Sequence, residues 1–328
     1  MMKKFVALVL SVTMVFALTA CGGSDAQGNA ESTNAGETQK ITIAYQGGIG
    51  YAPIHVMEVQ KLIEENYDGE LEVEYVKLDS GAAINEGIIG GTIDIGCMGL
   101  GPAISGVAAG VPYKAVSNLC SQSHGLMSND PSIQSLADIT SEDKIALVNT
   151  GSIQHILLAM AAEKNLGDAH ALDNNIQAMS HAEGMAALES GTVKLHLTSS
   201  PFIYQERANE AYNELPEINE VWPSGNSFLL AMASEKVAGD EKLYNAVRAA
   251  FDQAFAFINN DVEGTADIEV EYLALDRETV MSYLNEEDCQ FFPQLRGADD
   301  MAAFMYSAGF ITREVTMDEF KYDDVVSE

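Results

Sequence analysis

Short apolar runs alternate with stretches of helical periodicity along the chain from about residue 40 onward. The runs are rich in isoleucine, valine and leucine and are bounded by glycine, serine, aspartate or asparagine, as β-strands commonly are. They lie at 41–46, 71–78, 92–99, 113–119, 144–149, 175–180 and 193–199. Strands that alternate with helices in this way predict parallel α/β sheets, arranged here as two successive units.

The segments between these runs carry the signals of helix ends. Ser80 precedes a short helix that ends at Gly90-Gly91. Ser180 and Glu183 have the spacing of a capping box, and their helix stops at Gly191. These signals predict helices that begin directly after strands, which is the arrangement of an α/β unit.

The last part of the chain departs from the alternation. The run 227–234 is expected to be a strand that returns to the first unit. A long helix is predicted over 239–260, because its apolar residues recur on one face. Those residues are Leu243, Ala246, Ala250, Phe251, Ala254, Phe255 and Ile258.

The N-terminal residues have the pattern of a secretory signal. Lys3 and Lys4 precede an apolar run over 5–17 that is too short for a transmembrane helix, which needs about 20 residues. The tetrad Leu-Thr-Ala-Cys ending at Cys21 resembles a bacterial lipobox; an ordinary signal peptide is the alternative. We therefore expect a signal peptide over 1–20 and a lipidated Cys21 that anchors the protein to the outer face of the cell membrane. Residues 22–39 contain no large apolar side chain, so 21–39 is expected to be a flexible tether.

Charge and cysteine content exclude several classes of protein. A formal net charge of −32 disfavours nucleic acid as a partner, because phosphates need a basic face. Cys97, Cys120 and Cys289 form neither a disulfide framework nor a zinc motif. Cys97 lies in an apolar setting that favours a buried thiol, with a Cys97–Cys120 bridge as the alternative. No metal site is predicted, because the histidines match no standard ligand spacing. Those considered are His55, His124, His155, His181 and His196.

Small polar residues and glycines follow the predicted strands at the ends where ligands bind in open α/β sheets. Glycine allows close approach to the backbone, and helix N-termini offer free N–H groups with partial positive charge. No arginine occurs between Cys21 and Arg207, so these loops favour backbone recognition of a carboxylate, sulfonate or phosphate. The alternative for each loop is an ordinary helix cap or turn. The candidate ligand-binding residues are Gln46, Gly48, Tyr51, Ser80, Gly81, Met98, Gly99, His124, Asn149, Thr150, Gly151, Ser152, His155, Ser199 and Ser200.

Large side chains near these loops form either a wall for the ligand's apolar part or ordinary core. The four in question are Tyr51, Met98, Phe202 and Trp222. His155 lies one turn into its helix and is either a ligand contact or a surface histidine. The sequence does not decide between these alternatives.

Several segments of the chain together resemble one protein family. They include ITIAYQGGIGYAP, the ordered block DSG…GTIDIG…GPA…AAGVP, NTGSIQHILLAM and HLTSSPF, and the likeness runs from Ile41 to about Ile311. On these segments the chain resembles the nitrate/sulfonate/taurine-type substrate-binding proteins of bacterial ABC transporters. The resemblance implies the type II periplasmic-binding-protein fold, with two α/β lobes, a hinge and an interlobe cleft. It implies crossings near Cys120–His124 and Trp222–Asn226, so lobe 1 would comprise 40–122 and 225–328, and lobe 2 would comprise 123–224.

The same resemblance implies a function. The protein would be a monomeric, lipid-anchored receptor that captures a small anionic organic solute, such as an alkanesulfonate, taurine or nitrate, and delivers it to an ABC permease. It would use no cofactor and catalyse no reaction. Alternatives are a receptor for a thiamine-type pyrimidine or another aromatic precursor, and an enzyme on the same fold. An enzyme is disfavoured because the sequence lacks a nucleophile–base motif. The chain departs from the family pattern at Lys194, and 205–226 match only loosely.

Overall fold

The computed structural model describes residues 38–328. The predicted signal peptide 1–20, the predicted lipidation site Cys21 and residues 22–37 lie outside this range. Ten strands form two sheets of five strands each. The strands are β1 Gln39–Tyr45, β2 Leu71–Lys77, β3 Ile95–Gly99, β4 Tyr113–Cys120, β5 His124–Ser128, β6 Ile145–Leu147, β7 Ile176–Ala178, β8 Leu195–Ser199, β9 Asn213–Leu215 and β10 Leu229–Ser234.

Helices cover the faces of both sheets, and a helical segment follows β10. They are α1 Ala52–Gln60, α2 Leu62–Asn66, α3 Gly81–Ile89, α4 Leu100–Ala109, α5 Ile153–Leu166, α6 His181–Glu189, α7 Phe202–Arg207, α8 Glu217–Val221, α9 Glu235–Ala238, α10 Glu241–Asn260, α11 Val262–Leu273, α12 Arg277–Leu284, α13 Ala298–Ser307 and α14 Met317–Phe320. Within residues 38–328, none of these helices combines the length and the hydropathy needed to cross a bilayer.

Both sheets are mixed rather than purely parallel. The first sheet has the order β2-β1-β3-β10-β4, and the second has β7-β6-β8-β5-β9. β1 is parallel to β2 and β3, as expected, but β10 is antiparallel to β3 and β4. β5 is antiparallel to β8 and β9. The prediction of parallel sheets is therefore wrong at β10, and the second sheet is mixed because of β5. Each of these two strands follows a connection between the sheets and runs against the other strands of its sheet.

Two connections join the sheets. One is 121–123 between β4 and β5, and the other is 222–228 between α8 and β10. β10 returns to the first sheet, which confirms that prediction. The expected lobe boundaries, 122/123 and 224/225, fall within these connections.

Burial of side chains in the core confirms the predicted apolar face of α10 and the predicted buried thiol of Cys97. Every apolar residue predicted on one face of 239–260 is buried in α10. Cys97, Cys120 and Cys289 are buried and free, so the alternative of a Cys97–Cys120 bridge is wrong. Burial raises the pKa of each of these thiols and keeps them protonated.

Lys194, where the chain departs from the family pattern, is neutralised by two aspartates. Its Nζ lies 3.0 Å from Asp130 Oδ2 and 2.9 Å from Asp143 Oδ1. The hydrogen bond from Lys194 is the main cause of the lowered pKa of Asp143. Lys194 therefore has a structural role on the second sheet and does not line the cavity described below.

Candidate functional site

A cavity of about 350 Å³ lies between the two sheets, at the carboxyl ends of their parallel strands. Its volume is typical of a site for a small molecule. Most of the candidate ligand-binding residues lie on its wall, although their loops are far apart in the sequence. They are Gln46, Gly48, Tyr51, Gly81, Gly99, Asn149, Ser152, Ser199 and Ser200.

Three candidate residues, Met98, Ser80 and His124, do not line the cavity. Each has a different structural role. Met98 is fully buried in β3. The Ser80 hydroxyl accepts a hydrogen bond from Ala83 N, so it serves as the N-cap of α3. The His124 ring is buried between the carbonyl oxygens of Gln122 and Trp222, each 3.0 Å from a ring nitrogen. These two contacts make the ring a structural link between the two connections, and burial lowers the pKa of His124.

Three further candidates, Thr150, Gly151 and His155, are close to the start of α5 but do not line the cavity. Thr150 is exposed and Gly151 has a φ of 81°, a conformation that favours glycine. Gly151 N donates to His155 Nδ1 over 2.9 Å, and the other ring nitrogen of His155 lies 3.2 Å from Asp173 Oδ1. His155 is therefore bonded to protein groups on both ring nitrogens and holds the loop from behind.

The N-termini of α3, α5 and α6 all reach the cavity wall. Ser80, Ser152 and Ser180 cap these helices by accepting the N–H three residues on. The first two N–H groups of each helix have no partner within the helix and are free for a ligand or water. Each N-terminus also carries a partial positive charge. The convergence of three such ends places partial positive charge on the wall without a guanidinium group, and the wall also carries the carboxylate of Asp79.

Gln46, Tyr51 and Gln122 are fixed in place by hydrogen bonds along the wall. Tyr51 donates to Gln46 Oε1 over 3.2 Å, which orients the Gln46 amide. Gln122 lies in the first connection, and its Oε1 accepts a hydrogen bond of 3.4 Å from Ser200. A Cβ atom at Gly50 would lie 2.4 Å from the same oxygen, so only glycine fits there. Gln122 was not a predicted site residue, since nothing in its local sequence marks it.

His181 and Gln154 are wall residues that the sequence analysis missed. His181 Nε2 lies 3.2 Å from Gln154 Nε2 and 3.4 Å from Ser199 Oγ, and His181 Nδ1 lies 3.2 Å from Thr198 Oγ1. Burial, and next the nearby His196 ring, lower the pKa of His181 to about 3. The ring is thus neutral at physiological pH and supplies hydrogen bonds rather than charge. The sequence feature that could have identified His181 is its position directly after β7 and the capping residue Ser180.

Among the described residues, Lys77 at the end of β2 is the cationic side chain that lines the cavity. Its ammonium lies beside Gly47, where a Cβ atom would be 2.9 Å from Nζ. Among residues 38–328, no carboxylate lies within ion-pair distance of it. Glu72, Glu74 and Lys77 are the exposed residues of β2, and such charged residues are typical of a solvated strand, so nothing in the sequence marked Lys77 as a site residue.

Aromatic and aliphatic side chains form the other part of the wall. Tyr51 and Phe202 belong to it, which is the wall alternative for these two residues. Met98 and Trp222 are core residues instead, and Trp222 Nε1 donates to the Ser227 carbonyl. The further apolar or aromatic residues on the wall include Leu78, Phe228, Leu229, Tyr272 and Leu273.

The site offers no arrangement for binding a metal within the described residues. No group of three or more histidine, cysteine, aspartate or glutamate side chains in 38–328 is placed to hold an ion. His55 and His196 each pair with one buried glutamate, at 2.7 and 2.6 Å. The cavity can therefore bind a solute through N–H groups, hydroxyls, one ammonium and an apolar wall.

Comparison with known proteins shows the family of the chain. The profile of the NMT1-like family matches residues 34–271. A Bacillus subtilis (strain 168) protein, provisionally named as an aliphatic sulfonates-binding protein, is 23% identical over 293 residues, which cover 88% of this chain and 83% of that protein.

Solved structures confirm the fold. The periplasmic aliphatic sulphonate binding protein of Escherichia coli superposes with a TM-score of 0.69 at 20% identity, covering 89% of this chain and 94% of that one. The alkanesulfonate-binding protein of Xanthomonas axonopodis pv. citri, bound to MOPS, gives 0.72 at 17% identity, covering 88% and 99%. A Candida albicans protein described as having the generic periplasmic binding protein fold gives 0.64 at 12% identity, covering 88% and 97%. The fold is therefore that of the periplasmic binding proteins, as expected.

Proposed function

The chain belongs to the NMT1-like family, and from that premise we propose that it is the solute-binding protein of an ABC importer for a small organic sulfonate. Relatives in sequence and in structure are named for binding sulfonates. The observation that carries the proposal is the convergence of the α3, α5 and α6 N-termini on one cavity.

A sulfonate matches the chemistry of this wall. Its three oxygens accept hydrogen bonds and share one negative charge that persists at any physiological pH. Free N–H groups at helix starts donate to such an oxyanion without the strong desolvation that a buried guanidinium would undergo. Lys77 adds a cation at one edge, and the aromatic part of the wall accommodates a carbon chain or ring.

The remaining parts of the proposal concern the whole protein. We expect the two lobes, 40–122 with 225–328 and 123–224, to close around the solute by rotation about the connections. The closed form would be presented to the permease in the membrane. The protein would act as a monomer, held at the outer face of the membrane by a lipid on Cys21.

The direct test is the thermal unfolding of the protein in the presence of candidate solutes. The panel contains alkanesulfonates, taurine, nitrate, carboxylates and pyrimidines. A true ligand at 100 times its Kd adds about 2.7 kcal/mol to the free energy of unfolding. Stabilisation by sulfonates supports the proposal. Stabilisation by neutral pyrimidines alone would mean a receptor for an aromatic precursor, and the oxyanion argument would then be wrong.

Substitution of Lys77 tests the electrostatic part separately. Lys77→Met keeps the length of the side chain and removes its charge, so we expect about a fivefold weaker Kd for a sulfonate and a smaller effect of salt on that Kd. Lys164→Met is the control, because Lys164 pairs with Glu220 on the protein surface and does not line the cavity. Isothermal titration calorimetry at two salt concentrations measures both effects. Equal sulfonate affinity of the two variants would show that Lys77 does not contribute to binding.

A further inference from the structure

A continuous chain of hydrogen bonds runs from the cavity loop 149–152 to the C-terminal end of α13. It begins at Gly151 N, passes through His155, Asp173 and His170, and ends at the carbonyl of Ala308. We call these three side chains the His155–Asp173–His170 chain. The loop belongs to the second sheet, and Ala308 is the C-cap of α13, which packs against α4 beside the first sheet.

The bonding partners fix the proton positions on His155. Gly151 N donates to His155 Nδ1, so that nitrogen must be an acceptor without a hydrogen. The hydrogen is then on Nε2, which points at Asp173 Oδ1 over 3.2 Å. His155 is buried, and the Phe310 ring packs edge-on against it at 5.1 Å between centroids. Asp173 therefore determines the ring orientation that holds the Gly151 amide.

His170 needs both of its ring protons. Nδ1 lies 2.8 Å from Asp173 Oδ2, and Nε2 lies 2.8 Å from the Ala308 carbonyl oxygen. Both partners only accept, so only the imidazolium satisfies both bonds. The Ala308 carbonyl is the first cause of the raised pKa of His170, and Asp173 is the second.

The groups around His170 all favour its charged form or are neutral. Asp168 and Asp173 on its own segment carry negative charge, and Asp168 Oδ1 also accepts the backbone N–H of His170. From the α13 side it is faced by the Ala308 carbonyl at the negative end of the helix and by the Phe310 ring at 5.1 Å. As pH rises through the raised pKa, one ring proton is lost and one of the two bonds is broken.

We propose that Asp173 is a positioning residue for the ligand loop 149–152, and that protonated His170 ties this loop to the first-sheet side of the cleft. The contact between His170 and the Ala308 carbonyl and the ligand loop 149–152 are then ordered together. Binding should be tighter when His170 is protonated. This last consequence rests on the proposed sulfonate-binding function, whereas the positioning itself does not.

Hydrogen–deuterium exchange of the ligand-free protein tests the positioning. Asp173→Asn removes one acceptor, because the amide NH2 cannot accept a hydrogen bond, so we expect about tenfold faster exchange in peptides covering 149–152. His170→Gln should accelerate exchange in peptides covering 308–311 and, by a smaller factor, in 149–152. Glu189→Gln is the matched control, since it also removes one carboxylate from the second-sheet side but is exposed on α6.

The pH dependence gives a readout that a merely structural role would not produce. After correction for intrinsic exchange, wild-type protection of 149–152 should fall between pH 6 and pH 8.5, and His170→Gln should abolish that fall. Unchanged protection of 149–152 in Asp173→Asn, or the same loss in Glu189→Gln, would overturn the proposal. If Asp173→Asn does not fold, His170→Gln and the wild-type pH profile still decide it.

Ligand affinity is measured separately, with ethanesulfonate as the probe. Asp173→Asn should weaken its Kd severalfold at pH 6 and less at pH 8.5. Absence of ethanesulfonate binding by the wild type would count against the sulfonate proposal alone, since the exchange result does not depend on a ligand.

Discussion

Ser152 caps α5 and lines the cavity at the same time. From the sequence, a helix cap and a ligand site are alternatives for each loop. In the structure they are compatible, because the hydroxyl accepts the third N–H and the first two N–H groups remain available. Ser80 has only the capping role. Its hydroxyl caps α3, and the residue that lies on the cavity wall is the next one, Gly81.

Two buried histidine–glutamate pairs lie behind the cavity, one on each side. His55 Nδ1 lies 2.7 Å from Glu269 Oε1, and His196 Nδ1 lies 2.6 Å from Glu206 Oε1. Burial raises the pKa of Glu206 to about 8 and lowers that of His196 to about 3. Both shifts favour a pair without charge, since an ion loses hydration when it is buried.

Glu206→Gln should therefore be tolerated, and increasingly so as pH rises. The raised pKa of Glu206 means that its contribution to stability is complete below the unfolded-state pKa and is lost as pH rises towards 8. Gln keeps the hydrogen bond and has no proton to lose. We expect the variant to gain stability relative to the wild type between pH 6 and pH 8, measured by urea unfolding. Glu206→Ala is the contrast, because it leaves His196 buried without a partner and should be about 1–3 kcal/mol less stable than Glu206→Gln at either pH.

Helix starts are the elements that the sequence predicted best. The capping box of Ser180 and Glu183 and the N-caps of α3 and α5 are present as expected. Each depends on residues within one turn, so local chemistry decides it. β5 and β9 were missed for the opposite reason. β5 is fully buried and short, so it shows no alternation, and its pairing partners β8 and β9 lie far along the chain.

Removal of a cap should cost stability at a known element. Ser152→Ala deprives α5 of the acceptor for His155 N, so we expect the free energy of unfolding to fall by about 1 kcal/mol. Ser190→Ala is a suitable control, because Ser190 is exposed at the C-terminal end of α6 and caps no helix start; its effect should stay within about 0.5 kcal/mol. Urea titration of both variants measures the difference. Equal stabilities would mean that water replaces the hydroxyl at this helix start.

At the scale of the whole molecule, the two connections are linked to each other. His124 Nε2 lies 3.0 Å from the Trp222 carbonyl oxygen, and the Trp222 indole donates to the Ser227 carbonyl over 3.3 Å. A Cβ atom at Gly297 would lie 2.9 Å from the indole, so the ring is closely packed. Trp222 is the single tryptophan of the chain and therefore reports on this region alone.

Ligand binding should change the fluorescence of Trp222. Rotation of the two lobes about the connections would alter the packing of the indole, so we expect a shift in its emission that saturates at the Kd measured by calorimetry. Trp222→Phe should abolish the signal. Full calorimetric binding without any change in emission would argue against hinge movement at 222–228.

The sequence by itself determined the α/β units, the helix starts and the general place of the site. These follow from short-range periodicity, from caps and from the rule that ligands bind at strand ends. Gln46, Gly48, Ser152 and Ser199 were predicted at these strand ends in this way, and all four line the cavity. Only the tertiary structure decided which of the loop residues reach the cavity.

His155 and Gly151 bond each other, whereas Lys77, Gln122 and Tyr272 line the cavity although no local sequence pattern marked them. The physical reason is that the direction of a side chain depends on partners distant in sequence. Asp173, Ala308 and Phe310 fix His155 and His170, and the antiparallel return of β10 sets the two sheets around the cavity. Such partners are brought together by packing of the whole chain, which short-range pattern does not encode.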